Sequence, residues 1–223
     1  MVWTPTPAPR ALSVLQTEVG NYILAPVDTT LAFVITDALN DGVRKLNSRS
    51  RWPWTMVSEN ISLVASTVAY ELATGSASKI RSVHLLNASD LEVSTLGWLD
   101  PKTFSDTYPD RSSAGSPDTY TAFNLIADGK IDFNVPPSAA FIVTYPKVKV
   151  RMFRRLILYS AAGDTLTTLG GATSDVENFI VWHAKAYMAS ISDQSKAAFA
   201  LARAEETWRQ LINESNREVD WER

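Results

Sequence analysis

The chain of 223 residues contains no cysteine, which excludes disulfides, thiolate nucleophiles and cysteine-based zinc sites. It has only two histidines, His84 and His183, in distant segments, so an H-E-x-x-H metal motif cannot be built. No run reaches the roughly 18 apolar residues that a membrane helix needs. Glycine motifs that cradle phosphates are missing, and so is a G-x-S-x-G nucleophile turn. Positive charge is not in excess: the formal net charge is -3 and the isoelectric point is about 5.4. Tight duplex binding draws on counterion release by a basic face, so a mildly acidic chain argues against specific DNA recognition. It does not argue against lying close to DNA without gripping it. Carboxylate pairs such as Asp128 with Asp132 and Glu205 with Glu206 show no spacing that marks a glycosidase. The sequence therefore assigns no catalytic residue, no metal ligand and no cofactor, and it reads as a protein that is not an enzyme.

What is present is order along the chain. Residues 1–10 carry Pro5, Pro7 and Pro9, contain no apolar core of the signal-peptide kind, and read as an extended arm. Apolar residues at helical spacing predict a helix over 11–24 and a better one over 29–47, capped by Asp28 or Thr29. Gly42 weakens the second helix by about 1 kcal/mol relative to alanine. Trp52-Pro53-Trp54 stops it and marks a structural junction. The period then changes to two. Strands are expected at 61–65, 68–72, 80–85, 91–93, 119–127, 130–135, 139–145 and 148–159. A turn is expected at Thr74-Gly75-Ser76, a loop over 100–118 and a tight hairpin turn at Asp128-Gly129. Helices return after Gly170-Gly171, with Ser174 to Glu177 as a capping box and Ser192-Asp193 capping the last helix. Helices, strands, helices in that order give an α+β fold. The expected architecture joins the N- and C-terminal helices into one bundle, with an inserted antiparallel β sheet or small β barrel. Its segments are the arm 1–10, helices 11–55, the β insertion 56–159, helices 160–213 and a tail 214–223.

Two groups of residues stand out as partner surfaces. Lys147, Lys149 and Arg151 alternate with Val148, Val150 and Met152, so a strand here has one basic and one apolar face. Such a face suits a charge-complementary neighbour. Toward the C-terminus, Trp208, Leu211, Ile212, Val219 and Trp221 lie among charges of both signs. Trp208 fits a helix seam, whereas a tryptophan three residues from the end is a preferred interface anchor.

Landmarks in order then carry a family resemblance. Leu39-Asn40-Asp41-Gly42 closes a helix and Arg51-Trp52-Pro53-Trp54 precedes short strands. Gly115-Ser116-Pro117-Asp118-Thr119-Tyr120, Ile131 to Pro137 and Phe141 to Pro146 follow, and Val176 to Arg217 supplies an alanine-rich helix pair. This set resembles the tailed-bacteriophage head-to-tail adaptor (connector) proteins over about residues 30–217. The resemblance implies a structural virion protein at the neck, made in the host cytoplasm. Such adaptors bind the portal protein, extend the DNA exit channel and offer a platform to tail proteins. It implies a homo-oligomeric ring, commonly of twelve copies, through which DNA passes without specific binding and with no membrane involved. The helical part would face the portal, with a C-terminal segment reaching into it, and the β part the tail. Other readings weighed are another virion connector (a head- or tail-completion protein), a β-sandwich binding module and a virion cell-wall hydrolase.

Overall fold

The computed structural model describes residues 9–49, 52–72, 77–123, 125, 129–156, 158–165 and 173–220. The fold is α+β. In chain order the elements are α1 (Leu12–Tyr22), α2 (Thr29–Ser48), a 3-10 turn (Pro53–Thr55), β1 (Met56–Ser62), β2 (Ala69–Glu71) and β3 (Ala77–Leu86). There follow β4 (Glu92–Thr95), β5 (Gly97–Trp98), α3 (Pro101–Thr107), β6 (Thr119–Phe123) and β7 (Lys130–Phe133). The chain ends with α4 (Ala139–Thr144), β8 (Lys147–Arg154), α5 (Thr173–Ser192) and α6 (Gln194–Asp220). It divides into two compact units, residues 1–55 with 156–223, and residues 56–155.

The first unit is helical, and both ends of the chain supply its apolar core. Leu12, Leu15 and Val19 of α1 meet Ile35, Leu39, Val43 and Leu46 of α2, Phe179 and Ile180 of α5, and Leu211 of α6. Asp28 starts α2 by accepting a hydrogen bond from the Leu31 amide at 2.7 Å. Asp193 does the same for α6 with the amides of Ser195 and Lys196. The expected capping box fails. Ser174 already lies inside α5, and the Glu177 carboxylate, 3% exposed, instead accepts from the Arg10 amide at 2.9 Å and its Nε at 3.0 Å. Arg10 also donates to Glu18, which takes a second bond from Lys185 at 2.7 Å. Lys185, itself buried, lies 4.3 Å from the Trp182 ring centroid, so pairing and a ring face offset its lost hydration. Gly42 has a packing reason: a Cβ there would stand 3.2 Å from the Ile180 Cα, so its absence lets α2 and α5 approach closely.

The strand expected to run to Tyr159 stops at Arg154, and from Leu156 the chain joins the helical unit. Asn47 and Asn40, two turns apart on α2, hold them. Asn47 accepts from the Leu156 amide at 2.9 Å and donates to the Leu156 carbonyl at 3.0 Å. Asn40, buried, makes the same pair with Tyr159 at 2.8 and 2.9 Å. Two side-chain amides thus satisfy an irregular backbone as a neighbouring strand would.

The second unit holds two four-stranded sheets, ordered β1-β8-β3-β4 and β2-β7-β6-β5. They share one core: Val83, Leu85, Val148, Val150 and Met152 from the first, Tyr70, Tyr120, Ile131 and Phe133 from the second. Neither sheet closes into a barrel among the described residues. The β5–β6 pair is parallel, so the second sheet is mixed rather than antiparallel. Two segments differ from the expectation. Within the expected strand 139–145, Ala139–Thr144 form α4, because Ser138 caps the segment by accepting from the Phe141 amide at 3.2 Å. The loop 100–118 contains α3, started by the Asp100 side chain with Pro101 at the first helical position. Phe104 of α3 is buried, and α3 packs on β6. The Arg111 guanidinium lies 5.4 Å from the Phe104 ring centroid and donates to Asp132 of β7 at 2.9 Å. Asp132 alternates with core residues Ile131 and Phe133, so α3 and its loop lie across the outer side of the second sheet. The expected turn at Thr74-Gly75-Ser76, Asp128 of the expected hairpin turn, Gly170-Gly171 and most of the N-terminal arm fall outside the described residues.

Candidate functional site

The basic strand is β8, and it lies in the middle of its sheet. Val148, Val150 and Met152 are fully buried in the core, so Lys147, Lys149 and Arg151 point to the outer side. Register places Ser62, Asn60 and Ser58 of β1 beside them on one flank, and His84 and Ser82 of β3 on the other.

The positive row is answered within the same chain. Glu92 of β4 accepts from Lys149 at 3.0 Å and from Arg151 at 2.7 Å. Lys147 donates to Asp90 at 2.9 Å. Asp90 sits in a tight turn at φ 58°, a left-handed conformation that costs a non-glycine residue about 1–2 kcal/mol. Asn87 organises that turn by accepting from the amides of Ser89 and Leu91. One carboxylate serving two cations leaves the row with a positive surplus. The Lys149 hydrogen bond, aided by the charges of Arg151 and His84, holds the Glu92 carboxyl below its usual range. His84 shares hydrogen bonds with Ser82 Oγ at 2.8 Å and Thr95 Oγ1 at 3.0 Å. Burial pushes its pKa down, Arg151 and Lys149 push the same way, and Glu92 opposes them. Glu92 and Asp90 were not singled out from the sequence. Their role follows from strand register, which no local spacing signals.

The C-terminal candidates separate into two kinds. Leu211 is 1% exposed in the helical core, and Ile212 packs against that core. Trp208 stands edge-on to Trp52 with centroids 5.5 Å apart and also meets Phe179. These three therefore build the unit from within. The tail expected from 214 is a continuation of α6, with Ser215 buried and accepting from Arg49. Val219 falls in the last turn of α6, and Trp221 lies outside the described residues.

Trp52, Pro53 and Trp54 stand where the chain leaves the helical unit. Trp52 stacks on Trp54 at 5.4 Å, donates from Nε1 to the Leu46 carbonyl at 2.9 Å and lies under the Arg49 guanidinium. On α2, Arg44 pairs with Asp37, and the Lys45 ammonium sits near the Phe179 and Trp208 rings. His183 pairs with Asp41 at 2.9 Å on the seam of α2 and α5.

Among the described residues no group of three or more His, Asp or Glu is placed to hold a metal, and no helix is long and apolar enough to cross a membrane. Comparison with the curated proteins finds no match. The family model described as SU10 adaptor protein matches residues 10–223, from the Arg10 anchor through both units to the C-terminal helix. The chain belongs to the SU10 adaptor family, in agreement with the head-to-tail adaptor resemblance carried by its ordered landmarks.

Proposed function

We propose that this protein is a structural component of the bacteriophage neck: copies assemble as a ring on the portal, extend the DNA exit channel and provide the surface to which tail proteins attach. The observation that carries this reading is the family match over residues 10–223, which takes in the whole of the β unit and nearly all of the helical one. A dodecamer is the expected ring. The end of α6 and the residues after it, including Val219 and Trp221, supply the portal anchor. The row Lys147, Lys149 and Arg151 supplies contact with a protein neighbour. DNA passes without being gripped, which the acidic balance of the chain supports: a channel that must empty quickly should release few counterions. No step in this role needs a catalytic group or a cofactor.

The test is direct. Purified protein mixed with its portal and imaged by negative-stain electron microscopy should give a second ring stacked coaxially on the portal ring. Protein that stays monomeric beside bare portals at micromolar concentration would overturn the reading.

A further inference from the structure

The β unit contains ten acidic and ten basic side chains between residues 56 and 155, so it carries no net charge. The fold nevertheless separates the two signs. On the outer side of the first sheet, Lys79, Lys147, Lys149 and Arg151 share one face by register, and Arg81 projects from the adjacent bulge to Met56. Among the described residues, Asp90 and Glu92 answer Lys147, Lys149 and Arg151, which leaves Lys79 and one charge of the row in surplus. On the far side of the core, α3 and its loop cover the second sheet. They present Asp100, Asp106 and Asp110 against Lys102, while Arg111 is committed to Asp132. Asp106 and Asp110 are exposed, and the sandwich core lies between the two charged sides. One compact unit thus has a positive face and a negative face on opposite sides of its core.

This geometry is what a heterologous interface requires: two different patches, on different sides, each complementary to the other. A self-complementary two-fold dimer would need both signs within one patch. We infer that neighbouring copies meet through their β units, the Lys79–Lys149–Arg151 sheet face of one against the α3 layer of the next. The inference rests on the ring reading above and names the surfaces that close the ring. A duplex is the poorer fit to the positive face, because the Glu92 carboxylate sits within the cation row where a phosphate would lie. Charge pairing of this kind fixes register and weakens with salt.

The test uses full-length protein in three forms. K79E/K149E reverses the positive face and leaves the Arg151–Glu92 bond in place. D106K/D110K reverses the negative face. The third form carries all four changes. Circular dichroism and melting temperature first establish that each form is folded. A form that fails to fold is replaced by K79Q/K149Q or D106N/D110N, which remove the charge without reversing it.

Each two-site variant should lose ring formation on the portal at least tenfold in the concentration required, and the four-site form should recover it. A one-to-one mixture of the two variants should also recover it, as alternating rings, because each reversed face then meets its opposite. The wild-type ring should loosen as sodium chloride is raised. Rings of folded two-site variants at wild-type concentration would overturn the interface while leaving the ring reading intact. Failure of both the mixture and the four-site form would overturn it as well. Normal rings with lost duplex retention in K79E/K149E would assign the face to nucleic acid instead. Absence of wild-type rings would remove both readings together.

Discussion

At the scale of single residues, position decides what a side chain is for more than type does. Gly42 weakens a helix by propensity, yet the helix needs it because Ile180 backbone stands where a Cβ would go. Gly42→Ala therefore sets a propensity gain of about 1 kcal/mol against an overpacking cost of about 1–3 kcal/mol. The obstacle is a Cα atom that cannot swing aside, so overpacking should win. A net loss of about 1 kcal/mol, read as a lower urea midpoint, is expected.

His84 gives a prediction with a sign. Its folded pKa is depressed from 6.5, chiefly by burial. Below the unfolded value the unfolded chain takes up a proton that the folded ring resists. The stability the neutral ring contributes is therefore complete above about pH 6.5 and declines as pH falls through the folded pKa. The urea midpoint of the β unit should drop between pH 7.5 and 5.5, and His84→Gln should flatten that slope. An unchanged slope in the variant would assign the pH response to other groups.

At the scale of elements, the return of the chain from β8 depends on α2. Asn40→Ala would strip the amide and carbonyl of Tyr159 of their partners in a buried place. Each buried orphan costs about 1–3 kcal/mol, so a loss of about 2–5 kcal/mol is expected in chemical denaturation. Asn47→Ala, at a half-buried site, should cost less. The end of α6 offers a second test. Deleting 217–223 spares Ser215 and Asn216, which hold Arg49. The shortened protein should keep its circular dichroism and melting temperature but lose portal binding. Undiminished binding would place the anchor elsewhere.

Elements were legible where one period dominated. The alternation in Lys147 to Met152 gave β8 and the direction of its two faces, and the apolar spacing of 29–47 gave α2 to within one residue. Legibility failed where a short apolar run fits either period. Phe141, Ile142 and Val143 favour a strand by side-chain type, and the Ser138 cap decided for helix. Asp100-Pro101 read as a chain breaker although the pair also starts helices, as it does for α3. The partners of the basic row could not be read at all. Glu92 lies 57 positions before Lys149, and only the β3–β4 and β3–β8 registers bring them together. The asparagine pair on α2 was hidden for the same reason: a polar residue on a buried stripe looks like an interruption until its backbone partner is known.

At the scale of the whole molecule, the two units have separate apolar cores, drawn from separate stretches of chain. The helical one is discontinuous in sequence, whereas the β unit is a single run of residues 56–155. A core of its own and a continuous chain are the conditions for independent folding. Residues 56–155 produced alone should give a β-rich circular dichroism spectrum and a cooperative urea transition. A molten, aggregating product would show that its sheets need the helices to hold their shape.

Met56 opposes Phe153 across the first sheet, so the β unit begins and ends on adjacent strands. Paired strands run roughly 5 Å apart. The helical unit therefore receives its insert through a narrow port, and any domain whose termini stand side by side satisfies the same splice. A foreign module of that kind, grafted between Thr55 and Leu156, should leave the scaffold's connectivity untouched. The β unit of this adaptor is thus open to exchange without rewiring the helices of the other unit.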